Sequence, residues 1–76
     1  MMTDALKKIV LDFDAALLDG VRSGANEDAL RTLRDHAFDR LRAVKESPAP
    51  PCLEAVFDVA GEIGLKLNMA LKVIKS

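Results

Sequence analysis

Apolar positions along this chain recur mostly at intervals of three and four, with two interruptions. From Thr3 to about Asp19, Leu6, Ile9, Val10, Phe13, Ala16 and Leu17 fall on one helical face, and Thr3 is placed to cap it. The stretch GVRSGAN then breaks the pattern with two glycines and offers Asn26 as the next cap. From Glu27 to about Glu46, Leu30, Leu33, Ala37, Leu41 and Val44 share a face, and the acids of the first turn complement the helix dipole. SPAPP ends this segment, because prolines 48, 50 and 51 deny helical geometry to the residues before them, while Pro51 suits the first position of a further helix. That helix, Cys52 to about Ile74, carries Leu53, Val56, Ala60, Ile63, Leu67, Ala70, Leu71 and Ile74 on one side. The expected fold is all-α: a small three-helix domain with helices at about 4–19, 27–46 and 52–74, loops at about 20–26 and 47–51, and a risk of a kink or break near Gly61 and Gly64.

One stretch carries two periods. In GLKLNMALKVI, Gly64 to Ile74, Leu65, Leu67, Met69, Leu71 and Val73 alternate with Lys66, Asn68, Ala70 and Lys72, as in a strand with one buried face. No other segment of the chain alternates, so such a strand would lack an intramolecular partner. Leu, Lys, Met and Ala are good helix formers, and only Val73 and Ile74 favour a strand. The helix is therefore the expected state.

Three helices leave apolar residues over. Leu11 and Leu18 point nearly opposite to the Leu6/Phe13 face, and Leu65, Met69 and Val73 form an i, i+4, i+8 stripe away from Ile63 and Leu67. Either an irregular three-helix packing covers these two stripes internally, or a homodimer or partner groove does. Phe57, Gly61, Gly64 and Asn68 line up as a row of small residues beside a Phe; a helix of the same chain packing there, or a bend at the glycines, is the simpler reading beside a partner helix.

Composition narrows the function classes. A chain of 76 residues is one small domain near the lower limit of what a single core stabilises, which favours stability borrowed from an oligomer. The net charge of −1 recommends neither nucleic acid nor a membrane surface, and no segment has the continuous apolar length of a membrane span. Cys52, the only cysteine, allows no internal disulfide and no thiolate zinc cluster. MMTDALKKIVLDFD lacks the pattern of a secretory signal, so a cytoplasmic setting is expected.

Few residues suggest chemistry. Around Phe38 the second helix sets Arg31, Arg34, Arg42 and Lys45, a surface able to grip phosphates or an acidic partner. Glu27, Asp35, Asp39 and Glu46 compete for these cations, with Glu27/Arg31 and Arg42/Glu46 at i, i+4, and a self-paired, solvated face is the simpler expectation. His36 lies beside Asp35 and a turn from Arg40 without the pocket and second group that acid/base catalysis needs, so a surface or boundary position is expected. The acids never combine with histidine in a Glu-x-x-His pattern, and neither a metal nor a cofactor is expected. Cys52 near a helix N-terminus is a candidate for a lowered pKa, but a small buried residue is the easier account.

PCLEAVFDVAGEIGLKL, Pro51 to Leu67, resembles the closing helix of lambda-repressor-like helix-turn-helix domains, including antitoxins of the addiction-module antidote type. The shared features are a Pro before an apolar helix, an apolar-Gly-apolar step at Ile63, Gly64 and Leu65, and the spacing back to SGANEDAL, where Gly24 and Asn26 would open the motif. The resemblance implies that HAFDRLRAVK is a recognition helix in the major groove, with Arg34, Arg40, Arg42 and Lys45 on the phosphates. The chain departs from the family where reading would occur: Arg31 replaces a small residue, no glycine stands near Asp35, His36 replaces an apolar residue, and Ala37 stands where a cap belongs.

The chain is thus expected to act by binding and not by catalysis, as a homodimer or by docking another protein through Leu11, Leu18, Leu65, Met69 and Val73. The surface of Arg31, Arg34, Phe38, Arg42 and Lys45 is the second candidate, and a DNA-binding regulator or antitoxin is the alternative.

Overall fold

The computed structural model describes residues 3–75, which form three helices: α1 (Asp4–Arg22), α2 (Glu27–Lys45) and α3 (Leu53–Lys75). No strand occurs among the described residues, and 65–74 belong to α3. Both expected caps form. Thr3 Oγ1 accepts from the Leu6 amide at 3.3 Å and Asn26 Oδ1 from the Ala29 amide at 2.9 Å, each satisfying an N–H that has no partner inside its helix.

Helix ends differ from expectation where glycine and proline act. α1 runs through Gly20 to Arg22, and only Gly24 stops it, at φ +81°. There Ala25 N–H donates to Gly20 O at 2.8 Å and Gly24 N–H to Val21 O at 3.3 Å, so a left-handed glycine lets the chain turn back on the last carbonyls of α1. Gly20 serves packing instead: a Cβ there would lie 3.0 Å from Leu30 Cδ2, which is how the N-terminal end of α2 approaches α1 closely. Pro51 and Cys52 precede α3; the Cys52 carbonyl accepts from the Val56 amide at 3.2 Å, so the helix begins one residue later than expected. α3 then continues unbroken past Gly61 and Gly64.

The three helices pack against one another in an up-down-up bundle whose Cα atoms span 41 × 16 × 16 Å. Side-chain pairs fix the directions: Asp12 with Arg40 and Glu27 with Lys75 run antiparallel, while Asp14 meets Lys66 and Leu18 lies beside Met69 and Val73, so α1 and α3 are parallel. The core comprises Leu6, Ile9, Phe13 and Leu17 from α1, Leu30, Ala37 and Leu41 from α2, and Ala55, Val56, Val59, Ile63, Leu67 and Ala70 from α3. Among the described residues no polar side chain is buried with them. Each fully enclosed side chain, Leu6, Ile9, Leu30, Val59 and Ile63, contributes about 1.5–3 kcal/mol by burial. Two corrections apply to α3. Val59 is wholly buried and belongs to the stripe, whereas Leu53 is exposed, because it occupies the first helical position on the flank of the stripe with no residue of the domain beyond it.

Candidate functional site: the face shared by α1 and α3

Every residue of the two leftover apolar stripes stays outside the core. Leu11, Leu18, Leu65, Met69 and Val73 are between 53% and 66% exposed, so internal packing does not cover them. Two hollows connect most of them. An open groove of about 350 Å³ between the C-terminal halves of α1 and α3 is lined by Leu17, Leu18, Val21, Met69, Ala70 and Val73, with Asp14 and Lys66 at its edge. A second hollow along α3 carries the apolar surface from Met69 to Leu65 beside Asn68 and Lys72. At about 100° per residue, Leu11 lies close to the direction of Leu18 on α1, one and a half to two turns nearer the N-terminus. The five residues therefore look out from one side of the bundle. An ion pair between α1 and α3, Lys66 Nζ to Asp14 Oδ1 at 3.3 Å, crosses the middle of that side.

Leu53 and Phe57, the remaining large exposed apolar residues, lie on the opposite flank of α3, beyond the core stripe. Gly64, on that same flank, and Gly61, between it and Leu65, have open space where a Cβ would stand. No helix of the same chain packs on this row: nothing lies within 4 Å of where a Cβ would stand at either glycine, and α3 runs through both positions as one helix.

The cationic surface of α2 is largely self-paired. Arg31 lies 3.4 Å from Glu27, Arg34 bonds its neighbour Asp35 through Nε at 3.2 Å and Nη2 at 3.1 Å, and Arg40 reaches across to Asp12 at 2.9 Å. Arg42 and Glu46 do not pair, and Arg42 and Lys45 have no ion-pair partner among the described residues. Phe38 is half-buried and packs against the core instead of standing free as a stacking platform. α2 is a single helix through Asp35, His36 and Ala37, where a helix-turn-helix would place its turn.

At the far end of the same helix Glu27 Oε1 lies 2.7 Å from Lys75 Nζ, tying the last turn of α3 to the first turn of α2. The Lys75 ammonium, bonded to the carboxylate, lowers the pKa of Glu27; partial desolvation opposes this and the Arg31 guanidinium adds to it. His36 is exposed, as expected for a surface position. Cys52 is exposed rather than buried, because it precedes the first turn of α3 instead of lying within it. Among the described residues no three His, Cys, Asp or Glu side chains gather as a metal ion would require, and no helix is long and apolar enough to cross a membrane. Comparison with family models, with curated proteins and with solved structures finds no match for the chain.

Proposed function

We propose that this chain is a small helical contact module that works by binding protein through its α1/α3 face, in the first place a second copy of itself. One observation carries the reading: five large apolar side chains, each more than half exposed, gathered on one side of a domain of this size. Single exposed leucines are ordinary on soluble proteins, whereas a contiguous set around a groove marks a surface made to be covered. The same cover would add apolar burial to a core drawn from only 76 residues. A role as a regulator or adaptor follows if the paired module presents its α2 face or the Leu53/Phe57 flank to a further protein.

Sedimentation equilibrium of the wild type and of Leu11→Glu/Met69→Glu tests this. The expected result is a concentration-dependent dimer for the wild type and a monomer with unchanged helical circular dichroism for the variant. A wild type that remains monomeric at millimolar concentration overturns the reading. So does a double variant that unfolds, since these residues would then be core. Mobility shift of duplex DNA with a steep salt dependence would move the assignment to the helix-turn-helix alternative.

A further inference from the structure

The seam between α2 and α3 differs from the α1/α3 face in its charge, and one contact fixes which side chains line it. Glu27 of α2 pairs with Lys75 of α3, and the two helices run antiparallel. Lys45 lies eighteen residues beyond Glu27, and Phe57 eighteen residues before Lys75, which on an α-helix is about five whole turns. Lys45 and Phe57 therefore leave their helices in the directions of Glu27 and Lys75 and flank the same seam at its other end.

Between these ends the α2 side of the seam is lined by Arg31, Arg34, Phe38 and Arg42, all within about 60° of the direction that Glu27 and Lys45 share. The α3 side is lined by Leu53, Phe57, Ala60 and Gly64, all uncharged. Glu27 is the one carboxylate among these lining residues, and Lys75 holds it. Arg42 and Lys45 are exposed and have no ion-pair partner among the described residues. Leu53 and Phe57 are more than half exposed, and nothing lies within 4 Å of where a Cβ would stand at Gly64. The domain thus leaves an apolar strip open beside two free cations.

We infer that this α2/α3 seam docks an acidic amphipathic helix of another protein, whose apolar side chains meet Leu53 and Phe57 while its carboxylates meet Arg42 and Lys45. The surface is separate from the α1/α3 face assigned to self-association and does not depend on it. Charge selects the occupant. A wholly apolar helix would cover the two cations without pairing them, and a basic one would be repelled. A broad anionic surface, a membrane or a nucleic acid, would also reach the acids that stand just outside the seam, Asp35, Asp39 and Glu46 on α2 and Glu54 on α3. The net charge of −1 gives it no long-range attraction either. A helix about 10–12 Å across, lying between those acids, avoids them. From Leu53 to Gly64 the open stretch of α3 is about 16 Å long, room for about three turns of such a helix.

The test is the fluorescence anisotropy of two labelled synthetic peptides at low salt. Both are amphipathic helices of about five turns with the same leucine stripe, one flanked by glutamates and the other by lysines. The wild type is expected to bind the glutamate peptide on the order of tenfold more tightly than the lysine peptide, a preference that shrinks in high salt. Arg42→Glu/Lys45→Glu is expected to invert the preference, and Phe57→Ser to weaken the glutamate peptide on the order of tenfold, with circular dichroism as the control for folding. Leu11→Glu/Met69→Glu is expected to bind the glutamate peptide within about threefold of the wild type, because it alters the other face. The inference is overturned if the wild type fails to bind the glutamate peptide up to about 1 mM or binds both peptides alike. It is equally overturned if charge reversal leaves the preference unchanged, or if binding is lost with Leu11→Glu/Met69→Glu instead of with Phe57→Ser. Retention of phosphatidylserine vesicles or duplex DNA in place of the glutamate peptide also overturns it and assigns the cations to phosphates.

Discussion

The two seams that α1 makes with its neighbours are built alike at the centre and differ at the edges. Each is crossed by one carboxylate of α1 reaching a cation, Asp12 to Arg40 of α2 and Asp14 to Lys66 of α3. Beneath each pair lie core residues of the same kind. Beside the α1/α2 pair stand Ala16 and His36, a small residue and a polar one, whereas beside the α1/α3 pair stand Leu18, Met69 and Val73. The first seam is finished for water and the second is not. The contrast teaches that the buried core does not distinguish the two seams; the residues one position outside it do.

The largest effect that would break this contrast comes from adjacent residues of α1. Leu17 is 4% exposed and Leu18 is 53% exposed. Leu17→Ala should cost about 2–4 kcal/mol in urea unfolding, as truncation of a buried leucine does. Leu18→Ala should cost less than about 0.5 kcal/mol in the monomer, because an exposed side chain loses little on truncation. A comparable loss for both would show that Leu18 belongs to the core and that the seams are equivalent.

Gly64→Ala sharpens the comparison with a gain. The position is helical and has open space for a Cβ, so thermal unfolding should shift upward by the equivalent of about 0.5–1 kcal/mol. Gly61→Ala should give the same gain, because a Cβ there also meets nothing within 4 Å. A loss of stability at either position would show that the glycine is covered and not open.

The smallest expected effect separates the exposed apolar face from the clasp at the other side of α3. Glu27 has its pKa lowered in the folded state, so its pairing with Lys75 stabilises the protein above the ordinary carboxylate pKa and is lost as pH falls through the lowered value. Unfolding free energy measured from pH 7 down to pH 3 should therefore decline less steeply at the acid end in Glu27→Gln than in the wild type, with self-association at pH 7 unchanged. An identical pH profile in the two proteins would mean that the clasp contributes nothing.

Much of this was legible in the residues, and the exceptions have physical reasons. The i, i+3, i+4 spacing assigned all three helices, and the caps Thr3 and Asn26 were recognisable because few side chains can accept from a free helix N–H. The ends were less so: Gly20 and Gly24 look the same in sequence, yet one is a helical close-packing position and the other a left-handed stop. Val59 was missed because the core stripe of α3 was drawn through Ala60, and either residue satisfies a helical period; only the packing of α1 and α2 chooses between them. The exposed residues Leu11, Leu18, Leu65, Met69 and Val73 were identifiable by subtraction, as apolar positions off the core face. Whether the neighbouring helices would reach them was not, since that depends on bundle width and not on period.

The slenderness of the domain, 41 Å long and 16 Å across, has a hydrodynamic consequence. Two such rods laid flank to flank make a stubbier particle than either one, so friction grows more slowly than it would for a body that doubled its mass at constant shape. Association along the length should therefore quicken sedimentation by more than doubling the mass at constant shape would, while joining tip to tip would do the reverse.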